Sequence, residues 1–245
     1  MPDAMLVRFT GIRKDYGRLT AVKRLDLEIA PGECFGFLGP NGAGKTTTIK
    51  MLSGLLIPTE GSIHVNGYDI QREPENAKSI IGFVPDKPFI YEKLTGREFL
   101  DFMLDIYRVA RESAKEKRHE LLEMFSLSEW LDELVENYSH GMKQKLVITG
   151  ALIHEPKLLV IDEPMVGLDT HGHKLVKDLF RRFCEAGGAI FMSTHTLAVA
   201  QELCHRIAII DKGEVIAAGT LAELREKANT ESEHLESIFL KLTAQ

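Results

Sequence analysis

The stretch Gly39-Pro40-Asn41-Gly42-Ala43-Gly44-Lys45-Thr46 matches the pattern G-x-x-x-x-G-K-[ST] in full. It lies between Cys34–Leu38, an apolar run short enough for a buried strand, and Lys45–Leu52, a segment of helical composition. Glycines allow backbone N–H groups to close around an anion, and a helix N-terminus adds partial positive charge. The sequence therefore predicts a phosphate-binding loop that joins a buried strand to a helix.

The side chains of this loop are those that bind a nucleotide with its metal ion. Lys45 is expected to reach the β- and γ-phosphates, and the Thr46 hydroxyl is expected to ligate Mg²⁺. The predicted nucleotide contacts are Gly39, Pro40, Asn41, Gly42, Ala43, Gly44, Lys45, Thr46 and the following Thr47.

A second apolar run, residues 158–161, ends in the acid pair Asp162-Glu163. Asp162 is predicted to hold Mg²⁺ through water, and Glu163 to orient and polarise the water that attacks the γ-phosphate. Without a phosphate loop, two solvated acids at a strand end would be the simpler interpretation. Because both acids accompany the loop, the sequence predicts hydrolysis of a nucleotide as well as its binding.

The bulk composition is that of a globular protein of one large domain, or of a domain with an inserted subdomain. The chain has 245 residues, 44% of them hydrophobic and 27% charged. Its formal net charge of −6 disfavours nucleic acid as the main partner. Cys34, Cys184 and Cys204 lack metal or redox spacing, so reduced thiols are expected. No apolar run approaches the roughly 20 residues of a membrane-spanning helix, so membrane work would need a partner chain.

The order of the remaining patterns predicts a helical block inside an α/β core. Residues 5–10 and 21–29 alternate as strands do, and Asn66-Gly67 marks an edge hairpin. Residues 95–137 read as helix, with candidate capping boxes at Thr95-x-x-Glu98 and Ser113-x-x-Glu116. After Tyr138 strands and helices alternate again.

The segment Tyr138-Ser139-His140-Gly141-Met142-Lys143-Gln144 is similar to the signature sequence of ABC transporter nucleotide-binding subunits. The resemblance extends over about residues 6–224. It implies that Ser139 and Gly141 contact the γ-phosphate of ATP held by an opposite subunit. It also implies that Asp169, in Gly167-Leu168-Asp169, crosses the dimer interface.

Two further positions take their roles from the same resemblance. His195, in Ser193-Thr194-His195, resembles the family's switch histidine, which contacts the γ-phosphate during catalysis. Tyr16 resembles the aromatic residue that stacks on adenine.

The resemblance implies an ABC ATPase fold, which is α/β with a P-loop NTPase core. An N-terminal antiparallel β-subdomain and an inserted α-helical subdomain are expected around that core. Residues 1–245 would form a single domain. Its ATP-binding core would be about 1–86 and 156–225, its helical signature subdomain about 87–155, and its short C-terminal helical tail about 226–245.

The chain departs from the family pattern in two places. His140 stands where the signature normally has glycine, and Tyr138 where leucine is frequent. In Gly82-Phe83-Val84-Pro85-Asp86, Asp86 stands where the family usually carries glutamine. An aspartate oxygen still suits Mg²⁺, so Asp86 either joins Thr46 and Asp162 as a predicted metal ligand at the nucleotide site or only caps a turn before Pro88.

The function implied is an ATP-hydrolysing subunit of an ABC transporter, of the bacterial exporter-type branch. Its partners would be ATP with Mg²⁺, a second copy or a related ATPase subunit, and a separate transmembrane permease. It would lie in the cytoplasm on the inner face of the membrane. Candidates for a groove that receives the permease are Phe89, Ile90, Tyr91, Phe99 and Phe102, which could equally form a helical core.

Two alternatives come from other functional classes. A soluble ABC ATPase acting on ribosomes or DNA would usually carry two such domains or long coiled coils, and this chain has neither. A regulatory module that does not hydrolyse ATP is disfavoured by Glu163.

Overall fold

Within residues 5–87 and 90–243, which the computed structural model describes, ten strands form one mixed sheet. The strands are β1 (Val7–Tyr16), β2 (Leu19–Ile29), β3 (Cys34–Leu38), β4 (Glu60–Val65), β5 (Tyr68–Asp69), β6 (Ile81–Val84), β7 (Leu158–Asp162), β8 (Ala189–Ser193), β9 (Arg206–Asp211) and β10 (Glu214–Gly219). Their spatial order is β5-β4-β1-β2-β10-β9-β3-β8-β7-β6.

Helices pack around this sheet, and those that lie between β6 and β7 in the chain form a helical block. They are α1 (Lys45–Leu52), α2 (Pro74–Ser79), α3 (Gly96–Ile106), α4 (Lys115–Phe125), α5 (His140–Leu152), α6 (Thr170–Glu185), α7 (Leu197–Leu203), α8 (Leu221–Lys227) and α9 (Leu235–Thr243). Among the described residues, no helix combines the length and apolarity that a bilayer span requires.

The centre of the sheet is parallel and buried. Every residue of β3, β7 and β8 is buried, as expected for apolar strands covered on both faces. The register pairs Phe37 with Ser193, and Ser193 with Asp162. Because the strands are parallel, the phosphate loop, the acid pair and the segment containing His195 all begin at one edge.

The N-terminal strands form the antiparallel part of the sheet and are longer than predicted. β1 pairs with β2 as far as Tyr16 and with β4 as far as Arg13, whereas the predicted alternation ended near residue 10. Charged residues in the second half of β1 obscure the alternating pattern by which a strand is predicted. Arg13 forms an ion pair with Glu60 (3.1 Å), and Asp15 accepts a hydrogen bond from Thr20 (2.7 Å), so cross-strand polar pairs extend the strand.

Only one of the two predicted capping boxes forms. The Glu98 N–H donates to the Thr95 hydroxyl (3.2 Å), and the Thr95 N–H donates to the Glu98 carboxylate (2.8 Å). The prediction at Ser113 is wrong. Helix α4 begins at Lys115 after Ala114, with no side-chain cap, so Glu116 lies at its second position and cannot close a box.

The predicted permease groove divides between core and surface. Phe99 is 5% exposed and belongs to the core, and Ile90 packs partly against that core. Tyr91 and Phe102 are 56% and 38% exposed, and their rings meet edge to face with centroids 5.7 Å apart. Phe89 lies outside the described residues. Of the predicted groove, only this exposed pair of aromatic residues therefore remains among the described residues.

Strand β6, at one edge of the sheet, is covered where it begins. The Ile81 carbonyl accepts a hydrogen bond from the Tyr107 hydroxyl (3.1 Å), and His154 Nε2 lies 3.3 Å from the same oxygen. The two rings stack with centroids 3.5 Å apart. Burial lowers the pKa of His154 to about 4, so the ring is neutral near pH 7.

Removing the cap of α3 should destabilise the chain. Thr95→Ala loses the hydroxyl that satisfies the Glu98 N–H, and we expect the free energy of unfolding to fall by about 1 kcal/mol. Urea denaturation followed by far-UV circular dichroism measures this change. Ser113→Ala is the matched control, because Ser113 caps no helix, and equal losses in the two variants would contradict the assignment.

Candidate active site

An open cavity of about 410 Å³ lies at the edge where β3 and β7 end. It brings together most of the predicted site residues, namely Tyr16, Asn41, Gly42, Gly44, Lys45, Thr46, Thr47, Asp86, Asp162, Glu163 and His195. Two residues that line the cavity, Leu19 and Ala21, were not predicted. Leu19 is the cross-strand partner of Tyr16, and the Ala21 carbonyl oxygen lies against Gly44. Apolar residues on a strand gave no signal of a ligand.

The loop holds the Lys45 ammonium group with its own carbonyls. Lys45 Nζ donates to the oxygens of Gly39 (2.6 Å) and Pro40 (3.0 Å). Burial lowers the pKa of Lys45, while Glu163 and Asp162 act in the opposite direction. A phosphate group would replace these carbonyls as the partner of the ammonium.

The backbone of the loop needs glycine where it enters α1. Gly44 precedes the helix with φ of 114°, and a Cβ there would lie 2.6 Å from the carbonyl oxygen of Ala21. Ala43 is 2% exposed and donates its N–H to the Pro40 carbonyl (3.2 Å). Gly39, Pro40 and Ala43 therefore shape the loop, and its other residues line the cavity.

Asp162 is a buried carboxyl group, with 9% of the residue exposed. Its burial is the largest cause that raises its pKa above the ordinary range, and the charges of Asp86 and Glu163 add to the effect. The Ser193 hydroxyl and the Lys45 ammonium oppose it. An uncompensated negative charge of this kind favours a cation bound beside it.

The Glu163 carboxylate is engaged by the segment that follows β8. Its Oε1 accepts the backbone N–H of His195 (2.8 Å) and lies 2.8 Å from His195 Nδ1, while Oε2 accepts the Thr194 hydroxyl (3.0 Å). Glu163 itself has φ of 55°, which is uncommon for a residue with a side chain. Both predicted catalytic residues are thus in direct contact, and Thr194 is a partner that the prediction omitted.

Tyr16 is available at the open end of the cavity. The residue is 47% exposed, and Lys14 Nζ lies 5.3 Å from the centroid of its ring. An exposed ring next to Leu19 offers an apolar face on which a nucleobase can stack.

Besides Gly39, Pro40 and Ala43 of the loop, three predicted site residues do not line this cavity. Ser139 caps α5 by accepting the Met142 N–H (3.2 Å), and Gly141 lies in the first turn of that helix. Asp169 caps α6 by accepting the Gly172 N–H (2.7 Å), the main cause of its lowered pKa. These residues surround no part of the nucleotide cavity of their own chain.

The donor set suits Mg²⁺ only in combination with other ligands. Thr46, Asp86 and Asp162 offer hard oxygens to one cavity. Among residues 5–87 and 90–243, however, no group of three or more His, Cys, Asp or Glu side chains is arranged to hold a metal ion alone. Phosphate oxygens and water would have to complete the coordination.

Fold and site together define a phosphate-loop nucleotide hydrolase with a helical block inserted before its acid pair. Residues 22–166 match the family model described as ABC transporter. The chain is 40% identical over 219 residues to the linearmycin resistance ATP-binding protein LnrL of Bacillus subtilis (strain 168), covering 89% of this chain and 70% of LnrL.

Two solved structures are similar to this one. The structure of an ATP binding subunit of an ABC transporter superposes with a TM-score of 0.93 at 32% identity, over 97% of this chain and 99% of the other. A dimeric post-hydrolysis state of an ATP-binding cassette with ADP and Pi gives 0.77 at 27% identity, over 87% and 98%. The chain belongs to the ABC transporter family, as an ATP-binding and ATP-hydrolysing subunit.

The raised pKa of Asp162 predicts a conflict between stability and function. The folded chain binds this proton more tightly than the unfolded chain, so ionisation at neutral pH costs stability. We expect Asp162→Asn to raise the free energy of unfolding at neutral pH and to abolish ATP hydrolysis. The gain should shrink as the pH falls towards the ordinary carboxyl range.

Urea titrations at neutral and mildly acidic pH measure this gain. Asp178→Asn is the control, since its ion pair with Arg181 (3.1 Å) is exposed and contributes little. A loss of stability in Asp162→Asn at neutral pH would show that the carboxylate is stabilised where it lies.

Proposed function

We propose that this chain powers export by closing onto a second ATPase subunit beneath a transmembrane permease, with ATP bound between the two. The observation that carries the proposal is the division of the site. Lys45, Asp162, Glu163 and His195 converge on one cavity, whereas the signature residues lie on the helical block, outside it. A second copy or a related subunit would supply Ser139 and Gly141 to the exposed side of the phosphates.

Hydrolysis would begin with the release of the Glu163 carboxylate. Its two oxygens are occupied by Thr194 and His195. A bound γ-phosphate competes for His195, because the histidine can donate to it. Without the ring contact, Oε1 of Glu163 could accept a proton from the attacking water, while the His195 N–H and the Thr194 hydroxyl would still orient the carboxylate. Bound Mg²⁺, held by Thr46, Asp162 and Asp86, would neutralise charge on the β- and γ-phosphates.

The direction of transport rests on similarity to LnrL, whose name reports resistance to linearmycin. The exposed pair Tyr91 and Phe102 offers an apolar contact to the permease, which would hold the chain on the cytoplasmic face of the membrane. The proposal includes one ABC ATPase domain, with a core of about 1–86 and 156–225, a helical signature subdomain of about 87–155 and a tail of about 226–245.

The shared site is tested by the variant Glu163→Gln. Glutamine keeps the shape of the side chain but cannot act as the base, so ATP should bind and persist. We expect the variant to be monomeric without nucleotide and to accumulate as a dimer with saturating ATP and Mg²⁺. Multi-angle light scattering measures the mass. A variant that remains monomeric alone and when mixed with a related subunit would contradict the proposal.

Asp86 should tune the dependence on Mg²⁺. Its negative charge near the γ-phosphate disfavours ATP until the metal is bound, and its oxygen then becomes a ligand. Asp86→Asn should therefore bind ATP more tightly than the parent protein in buffer without Mg²⁺. Both Asp86→Asn and Asp86→Ala should need several-fold more Mg²⁺ for half-maximal hydrolysis, the latter more strongly.

Fluorescence titration with a labelled ATP analogue, with and without Mg²⁺, measures the first effect, and ATPase assays across a Mg²⁺ series measure the second. If both variants match the parent protein in every condition, Asp86 is a turn residue without a role in the site.

A further inference from the structure

One face of α5 holds the loop that follows the acid pair at two points. His140 and Gln144 are four residues apart, so their side chains lie on the same face of the helix. Gln144 is fully buried, and its Nε2 donates to the carbonyl oxygen of Pro164 (3.3 Å). One turn earlier, the His140 ring lies against Gly167.

The contact between His140 and Gly167 is close from both sides. A Cβ added to Gly167 would overlap Cδ2 of the His140 ring, and Gly167 has φ of 79°. The carbonyl oxygen of Gly167 in turn lies 2.9 Å from the position that a Cβ of Gly141 would occupy. Glycines at 141 and 167 therefore allow helix and loop to meet with the imidazole ring packed beside them.

The same loop leads directly into the cap of α6. His173 Nε2 lies 3.1 Å from the Met165 carbonyl oxygen, and Asp169 accepts the Gly172 N–H. The loop is thus fixed by α5 on one side and by α6 on the other. The ring of His140 packs against this loop, at a position where the family pattern has glycine and hence no ring.

We propose that His140 is a positioning residue that locks the loop 164–169 to the start of α5. The surfaces offered to a second subunit, namely Ser139 with Gly141 and the loop containing Asp169, then move as one unit. This inference rests on the proposed shared site. It adds that ATP bound at the signature of a chain sets the position of that chain's own Asp169 loop.

The test uses Glu163→Gln as the parent, because its dimer accumulates with ATP. His140→Ala removes the ring, and Gly167→Ala displaces it. We expect His140→Ala to raise the ATP concentration for half-maximal dimer formation roughly three- to tenfold. Binding of a labelled ATP analogue to the monomer should change less than dimer formation, since His140 lines only an adjoining cavity that shares Asp86 and Glu163 with the nucleotide cavity.

The pair of substitutions also makes a cycle that a general loss of stability would not reproduce. Gly167→Ala should raise the ATP concentration for half-maximal dimer formation more when His140 is present than in the His140→Ala background. Only when His140 is present does the added methyl group clash with an imidazole ring. Gly187→Ala is the matched control. Gly187 has φ of 93°, and a Cβ added there would meet no described atom within 4 Å, so this substitution introduces backbone strain alone.

The outcomes separate this inference from the proposed function. A parent that never dimerises removes the basis of both. A parent that dimerises at the same ATP concentration with and without His140 retains the shared site and overturns the role of His140. Equal effects of Gly167→Ala in both backgrounds, or an equal shift in Gly187→Ala, overturn it as well.

Discussion

The parallel pairing of β3, β8 and β7 is the constraint on which the candidate active site depends. Backbone hydrogen bonds place Phe37, Ser193 and Asp162 side by side, so three loops leave the sheet at one level. A slip of one residue would move a strand end by about 3.3 Å and turn its side chains to the opposite face. The distances within the site therefore follow from the register.

The groups gathered at this edge are costly to hold there. Asp162 is a buried acid, Glu163 has an uncommon backbone conformation, and Lys45 is partly removed from water. Such features persist where the surrounding structure over-determines them. Here the determinant is apolar packing beneath the site, where the ring of Phe191 contacts Phe35 and Phe37. Nucleotide binding would offset part of this free-energy cost, so a bound nucleotide would stabilise the folded chain.

Patterns that are local in the chain predicted their elements well. The bounds of β3 and α1 agree with the prediction to the residue. An apolar run marks the strand, and the glycine-rich loop marks the point where the helix begins. The capping box at Thr95 forms, whereas the equivalent pattern at Ser113 does not, since α4 begins only at Lys115 and Glu116 is its second residue. Pattern alone cannot distinguish the two.

Contacts between distant segments gave no sequence signal. Leu19 lines the cavity only because a hairpin brings it next to the loop, and Thr194 reaches Glu163 only because β7 and β8 are paired. The contact of His140 with Gly167 is of the same kind: each residue was noted, but nothing in their spacing indicated that they touch. Prediction was therefore strongest for motifs and weakest for their mutual contacts.

The stacked rings of Tyr107 and His154 also restrict how copies of this chain can assemble. Both side chains contact the carbonyl oxygen of Ile81 in β6, which is one edge strand of the sheet. The edge strand on the opposite side, β5, has two residues. Within the part of the chain that the structure describes, neither edge strand offers a long row of free backbone groups to an incoming strand. Pairing between the sheets of two molecules is thereby disfavoured. Because the imidazole of His154 is uncharged at neutral pH, its contact with β6 requires no buried cation. Association of the kind proposed above would then rest on surfaces that ATP joins and that its hydrolysis separates.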